Sequence, residues 1–100
     1  MPKTALTVPH GLGQDAAIER LKNFIPRIKH AFADKVSDLE ESWEANVLSF
    51  SFKTFGMSIK GKMAVEEEKV DFNGELPFAA MMFKGKIEDS IRTELDKLLA

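Results

Sequence analysis

The sequence predicts a two-layer α+β domain in which a five-stranded antiparallel sheet, in the order β-α-β-β-β-β-α, carries both helices on one face. Three observations lead to this fold class. Apolar residues recur every three or four positions over residues 14–32, alternate with polar residues over 39–76, and return to helical spacing over 83–99. Because each helix and the sheet then has a single apolar face, packing both helices on that face of the sheet buries all of these surfaces.

Length and composition indicate one globular domain spanning residues 1–100. Of the 100 residues, 44% are hydrophobic and 30% are charged, the balance of a chain that can form its own core. The chain has no cysteine, as expected in a reducing compartment. Residues 1–6 lack the apolar core of a signal peptide, and the longest apolar run is far shorter than the ~20 residues that span a bilayer. We therefore expect a cytoplasmic protein without a transmembrane segment.

The first strand and the first helix follow from short local patterns. Residues 4–8 are rich in β-prone types and stop at Pro9, which indicates an edge strand. Over residues 14–32 one helix face carries these apolar side chains: Ile18, Leu21, Ile25, Ile28 and Phe32. Pro26 lies inside that pattern and removes one helical hydrogen bond, so the helix is expected to kink or split just before it.

Four further strands are predicted to form a meander with one apolar and one polar face. The apolar face collects these residues: Leu39, Trp43, Leu48, Phe50, Phe52, Met57, Ile59, Gly61, Met63, Val65, Val70, Phe72, Gly74 and Leu76. Such alternation is typical of an antiparallel sheet with one solvated face. Turns placed at 45–46, 53–56 and 67–68 predict the following pairs: Trp43 with Leu48, Phe52 with Met57, Phe50 with Ile59, Val65 with Val70, Met63 with Phe72, and Gly61 with Gly74.

A facing pair of glycines, Gly61 and Gly74, leaves a gap in the apolar face of this predicted sheet. Either another part of the molecule approaches closely there or the sheet bends. The gap also suggests a cavity lined by both glycines and by the adaptable side chains of Met57 and Met63. Glu41 is predicted to point to the same face. It is there either a lone acid in that cavity or an edge-strand glutamate that reaches solvent.

Six consecutive apolar residues occupy positions 78–83, between the last strand and the last helix. Pro77 suits the first turn of a helix, so these residues are expected to begin the amphipathic C-terminal helix. One interpretation buries them as a methionine-rich plug of the core. The other leaves a subset outside as a contact for something apolar, because six contiguous residues cannot all face one way on a helix. The candidate contact residues are Phe78, Met81, Met82 and Phe83.

The sequence contains none of the common catalytic or cofactor signatures. The two histidines, His10 and His30, lie on different elements without carboxylates at metal-ligand spacing, and there is no cysteine, tyrosine or Gly-Lys-Ser/Thr loop. The net charge is −2, and the polar face of the sheet lacks the exposed aromatic residues that bind single-stranded nucleic acid. We therefore expect no enzyme, no metal or cofactor, and no nucleic-acid partner.

Two stretches of the chain resemble one bacterial family. His10-Gly11-Leu12-Gly13, followed by Ala17 and Arg20, resembles the opening of the polyhydroxyalkanoic acid system (granule-region) proteins. The stretch from Leu76-Pro77-Phe78 through Phe83-Lys84-Gly85-Lys86-Ile87-Glu88, ending in Glu94-Leu95, resembles the close of that family. The similarity spans nearly the whole chain and its motifs are short and mostly structural. It implies a small protein of the polyhydroxyalkanoate system, some members being granule-associated, with no catalytic residues to carry over.

Three hypotheses about function follow. The first is a non-enzymatic protein that contacts a polymer granule surface through the apolar residues of positions 78–83. The second is a small carrier of a hydrophobic ligand, a reduced helix-grip-like domain whose last helix lies across a curved sheet and covers a cavity at Gly61 and Gly74. The third is an interaction module, such as a homodimer, that uses a sheet edge or the last helix.

Overall fold

A computed structural model describes residues 3–54 and 56–100 of the chain. The elements are, in chain order, β1 (Lys3–Pro9), α1 (Gln14–Leu21), α2 (Phe24–Ala31), β2 (Ser37–Glu44), β3 (Val47–Thr54), β4 (Met57–Val65), β5 (Lys69–Glu75), a 3₁₀ segment (Phe78–Phe83) and α3 (Lys84–Leu99). This order matches the predicted one, with the first predicted helix divided in two.

The five strands form one antiparallel sheet in the order β1-β5-β4-β3-β2. The first strand is therefore an edge strand, as predicted, and β2 is the other edge. The helices cover the apolar face, where residues of α1, α2 and α3 join those of the strands in one buried cluster. The fold class is thus confirmed: a two-layer α+β domain of reduced helix-grip-like form, with its last helix packed on the sheet.

The first predicted helix splits where α1 ends at Leu21 and α2 begins at Phe24. Pro26 is the third residue of α2. In a first turn the backbone N–H has no partner within the helix, so proline costs no hydrogen bond there. The predicted interruption is confirmed, and it lies a few residues before the proline because Pro26 belongs to the start of the new helix.

The first and third hairpins have the predicted register, whereas the second is shifted. Phe52 pairs with Ile59 and Phe50 with Gly61, in place of the predicted Met57 and Ile59. Thr54 pairs with Met57, so the turn is shorter than the predicted 53–56. Gly56, with φ of +76°, permits the tight connection because glycine adopts positive φ without steric cost. Position 55, part of the predicted turn, lies outside the described residues.

A shift of two residues leaves every side chain on its predicted face, because the side-chain period of a strand is two. It does change which residues meet across the sheet. Phe50 now lies opposite the glycine of β4, and Gly61 in turn lies opposite Gly74 of β5. The shift therefore places an aromatic ring next to the glycine pair.

Two polar contacts hold the helical layer together. The Arg27 Nε donates to Glu94 Oε2 over 2.9 Å and so joins α2 to α3, where the glutamate is largely buried. The Arg20 guanidinium donates to the backbone oxygens of Leu98 and Ala100 at the end of α3. Because these carbonyls have no partner within the helix, the arginine of α1 satisfies groups that α3 cannot.

The glycine in the first turn of α3 offers a direct test of local helix energetics. Gly85 is exposed, and a Cβ added there would meet no atom within 4 Å. Gly85→Ala is expected to raise the free energy of unfolding by about 0.4–1 kcal/mol, because alanine loses less backbone entropy on folding. Urea titration followed by circular dichroism measures this as a higher midpoint with an unchanged slope.

The matched control for this substitution is Gly13→Ala. Gly13 has φ of +84° and a Cβ there would lie 3.3 Å from Glu67 Oε1, so alanine at this position is expected to lower stability. Equal effects of the two substitutions would contradict the assignment of Gly85 to an unstrained helical position.

Candidate functional site: an exposed apolar segment

The six apolar residues that follow Pro77 form the 3₁₀ segment and not the first turn of α3, which corrects the prediction for this region. Pro77 itself stays extended, with φ of −66° and ψ of 157°. Its carbonyl oxygen accepts a hydrogen bond from the Ala80 N–H over 2.9 Å. The chain therefore leaves β5, turns tightly after the proline, and begins regular α-helix only at Lys84.

The 3₁₀ geometry decides which of these side chains the protein buries. With three residues per turn, side chains three apart lie above one another, so a single row of the segment can face the core. Ala80 occupies that position and is fully buried against Ile59 and Leu76. The rows that contain Phe78 with Met81, and Ala79 with Met82, are left toward solvent. Phe83 shares the row of Ala80 but is the last residue of the segment, and it is half exposed. The small alanine is thus the anchor of the segment.

Four large apolar side chains of the segment are exposed. The exposed fractions are 81% for Phe78, 86% for Met82, 49% for Phe83 and 38% for Met81. We refer to these four residues as the apolar patch. The core interpretation of this segment holds only for Ala80, and the structure leaves outside the same four residues that the sequence indicated as a contact.

The apolar patch lies at one end of the sheet. Its anchor packs on Ile59 near the start of β4, whereas α1 contacts the other end, where Gln14 Nε2 donates to the Val65 backbone oxygen. Ile59 and Val65 are six positions apart along β4, which corresponds to about 20 Å at ~3.3 Å per residue. Substitutions on α1 can therefore serve as controls that leave the patch untouched.

The predicted cavity at the facing glycines is occupied by aromatic side chains. A Cβ on Gly61 would lie 2.7 Å from Phe50 Cζ and 2.7 Å from Phe72 Cε1, and one on Gly74 would lie 2.7 Å from Phe72 Cζ. The two rings are 6.1 Å apart and nearly parallel. The part of the molecule that approaches the glycine pair is thus two phenylalanines of the same sheet.

Of the remaining residues of the predicted cavity, Glu41 lines an open groove together with Gly61 and Gly74, whereas Met57 and Met63 do not line it. Met63 is fully buried in the core, and Met57 is half-buried beside the second cluster. Glu41 lies opposite Phe50, as predicted, but its side chain is exposed on the edge strand β2. It is therefore not a lone acid inside the protein. The carrier hypothesis stays a prediction to which these residues add no support.

An open groove crosses the sheet at the level of the glycine pair. Its lining includes charged residues of both signs that point away from the core, among them Glu40, Lys60, Lys62 and Glu75. These charges alternate across neighbouring strands, so the groove presents no field of a single sign. It offers no basis for selecting a strongly charged ligand.

One carboxyl on the polar face of the sheet has a shifted pKa. The Thr7 hydroxyl donates to Asp71 Oδ1 over 2.8 Å and is the main cause that lowers the pKa of Asp71. The neighbouring Glu66 and Lys69 lower it further, and the Lys69 Nζ lies 3.8 Å from Asp71 Oδ2. Thr7 lies on β1, Lys69 and Asp71 lie on β5, and Glu66 lies in the turn between β4 and β5. The lowered pKa of Asp71 therefore depends on the pairing of β1 with β5.

Thr7→Val is expected to raise the pKa of Asp71 toward its usual value, because the carboxylate loses its hydroxyl donor. Since the pKa is lower in the folded state than in the unfolded chain, the ionised group stabilises the fold above the usual aspartate pKa of about 3.9, and this contribution disappears as the pH falls below it. Carboxyl ¹³C shifts followed from neutral to acid pH measure the change. Lys69→Gln is the control and should shift the pKa less.

Comparison with known proteins identifies the family. The chain matches, over residues 5–99, the family model described as "Putative polyhydroxyalkanoic acid system protein (PHA_gran_rgn)". The protein belongs to this family, and the resemblance found in the sequence is confirmed. A search of curated proteins finds no match for this chain.

One solved structure with a similar backbone is the Zhui aromatase/cyclase from Streptomyces sp. R1128. The two chains are 12% identical, and the match covers 97% of this chain and 83% of the other with a TM-score of 0.46. At that score the likeness carries no argument about function. The fold rests on the sheet and the helices described above.

The family-like stretch at the start of the chain has structural roles. The Leu12 N–H donates to His10 Nδ1 over 3.2 Å, and His10 Nε2 lies 3.0 Å from the Glu66 backbone oxygen. Ala17 is fully buried, and Arg20 caps the end of α3. The contact between His10 and Glu66 ties the loop after β1 to the turn between β4 and β5. The candidate site is therefore the apolar patch at the C-terminal stretch.

Proposed function

We propose that this protein is a non-enzymatic accessory protein that binds the surface of polyhydroxyalkanoate granules in the bacterial cytoplasm through the apolar patch. The observation that carries the proposal is the exposure of Phe78 and Met82, at 81% and 86%. The family to which the chain belongs supports the choice of polymer, because its description names the polyhydroxyalkanoic acid system.

The energetics favour an extended apolar surface as the partner. Removing a phenylalanine or methionine side chain from water on binding stabilises the complex by roughly 1.5–3 kcal/mol. Two such side chains supply several kilocalories before ordering costs are subtracted. A monomer rarely exposes large apolar residues side by side without a partner. Phe78 and Met82 are more than four-fifths exposed, so a broad surface suits the patch better than a small ligand that needs an enclosing pocket.

The composition of the patch also suits an irregular partner. Methionine side chains are unbranched and polarizable, which lets them adapt to surfaces without fixed shape. The segment is followed by Lys84 and Lys86, of which Lys86 is exposed. The lysines place positive charge next to the apolar residues, as in segments that lie on an interface.

The direct test is binding of the purified protein to polyhydroxyalkanoate particles in a sedimentation assay. Phe78→Ser with Met82→Ser keeps the net charge and removes the two most exposed apolar side chains. We expect this variant to lose most of its binding while its unfolding midpoint stays near that of the wild type. Equal binding by the variant and the wild type would overturn the proposal.

A second pair of variants separates patch effects from charge effects. Met82→Glu and Ala16→Glu each add one negative charge at an exposed position, the first in the patch and the second on α1 at the other end of the sheet. Only Met82→Glu is expected to reduce binding. Light scattering at several concentrations completes the test, since a dimer that dissociates on Met82→Glu would assign the patch to self-association instead.

A further inference from the structure

The sulfur atoms of this protein are distributed unevenly between core and surface. The chain has no cysteine and five methionines, so thioethers are its only sulfur groups. Among the methionines of the described residues, Met63 is fully buried and Met57 is half-buried, whereas Met81 and Met82 are 38% and 86% exposed. Among the described residues, the most exposed methionine therefore lies in the apolar patch.

We infer that Met82, together with Met81, is an oxidation site through which peroxide releases the protein from its apolar surface. The inference rests on the proposed function, because it assigns regulation to the same patch. The class of oxidant is a two-electron peroxide such as hydrogen peroxide. Methionine oxidation follows exposure, so the patch is oxidised before the core.

The reaction needs only the methionine thioether and the peroxide, and no other group of the protein takes part. A lone pair of the thioether sulfur attacks one oxygen of hydrogen peroxide and the O–O bond breaks. The sulfur gains that oxygen as a sulfoxide, and the other oxygen leaves as water with both protons. The sulfur is oxidised by two electrons and the peroxide is reduced. A thiol-dependent methionine sulfoxide reductase reverses the change.

The placement of the two methionines lets oxidation change the surface without unfolding the protein. A sulfoxide is polar and accepts hydrogen bonds, so it opposes burial against an apolar partner. The anchor of the segment is Ala80, which has no sulfur, and the core methionine Met63 is shielded. Two of the four patch residues become polar while the contacts that hold the 3₁₀ segment remain.

The experiment begins with limiting hydrogen peroxide on the folded wild-type protein, followed by peptide mass spectrometry. Among the methionines of the described residues, we expect one oxygen first on Met82, then on Met81, and last on Met63. Oxidised wild type is expected to elute earlier from a hydrophobic-interaction column and to lose binding to polyhydroxyalkanoate particles. Both properties should recover after treatment with the two methionine sulfoxide reductases, one for each sulfoxide epimer. Circular dichroism should show an unchanged fold.

The matched variant is Met81→Leu with Met82→Leu, which keeps the patch apolar but cannot be oxidised there. After the same peroxide treatment it is expected to keep its column retention and its particle binding. Oxidation of Met63 at the same rate as Met82, or equal loss of retention by the leucine variant, overturns the inference. Failure of the untreated wild type to bind particles refutes the granule proposal alone, because oxidation order and column retention still test the oxidation site.

Discussion

Phe72→Ala is expected to lower the free energy of unfolding by about 3–5 kcal/mol, the usual cost of removing a buried phenylalanine ring. Phe72 is 1% exposed and pairs with Leu6 on one side and Met63 on the other, in the middle of the sheet. Its ring also stacks near that of Phe50, with 6.1 Å between centroids. Domains of this size are stable by only about 5–15 kcal/mol, so the substitution should remove a large part of that stability.

Urea unfolding at equilibrium measures this effect, with Phe72→Leu as the control that retains most of the apolar volume. The glycines beside the ring make the site unusual, since neither Gly61 nor Gly74 has a side chain that could move into the space. The cavity left by alanine should therefore collapse little, and the cost should lie in the upper part of the range. A loss below that of Phe72→Leu would show that Phe72 does not fill the space above the glycines.

Most of the fold was predictable because strand and helix periods are strong local signals. Alternation from Leu39 to Leu76 identifies the apolar face of the sheet, and each predicted face matches the burial of β3, β4 and β5. The register of the second hairpin was not predictable in the same way. A shift of two residues preserves every face, so the pattern cannot distinguish a turn at 53–56 from the shorter turn that Gly56 permits.

The candidate site was predictable as a choice between core and surface, and the sequence left that choice open. An α-helical start would have placed Phe78, Met81 and Met82, at spacings i, i+3 and i+4, together on one face of the helix. The 3₁₀ turn after Pro77 instead aligns side chains three apart and turns the row that begins with Ala80 toward the core, which leaves Phe78, Met81 and Met82 outside. Both geometries suit a proline followed by six apolar residues. Packing on Ile59 and Leu76 selects between them, and such long-range contacts are not encoded in local periodicity.

The glycine pair shows how a correct local prediction can lack its physical reason. Either a close approach at Gly61 and Gly74 or a bend of the sheet was expected from the missing side chains. The sequence did not identify Phe50 as the residue that approaches Gly61, because the predicted register placed Phe50 opposite Ile59. With Phe50 opposite Gly61, the aromatic ring lies over the glycine it faces. Aromatic side chains that cover glycines across a sheet restore the apolar contact that glycine lacks.

Gly61→Ala is expected to lower the free energy of unfolding by about 1–3 kcal/mol, the cost of overpacking a well-filled core. Two effects compete at this position. Alanine is favoured over glycine in a strand by roughly 0.5–1 kcal/mol of backbone entropy. Against this, the new Cβ would lie 2.7 Å from both Phe50 Cζ and Phe72 Cε1, and both rings are buried. The cost of overpacking exceeds the gain in backbone entropy because neither ring can move without displacing its core neighbours.

A double-mutant cycle with Phe50→Leu distinguishes this clash with the ring from a requirement of the β4 backbone for glycine at position 61. Two of the three atoms nearest to the new Cβ, Cζ and Cε1, belong to Phe50, and leucine has neither. Gly61→Ala should therefore cost less in the Phe50→Leu background than in the wild type, with a coupling free energy of about 0.5–3 kcal/mol. Urea midpoints of the four proteins give this value. Additive costs would mean that the Phe50 ring does not restrict position 61. The requirement for glycine would then come from the backbone of β4 and not from the ring that faces it.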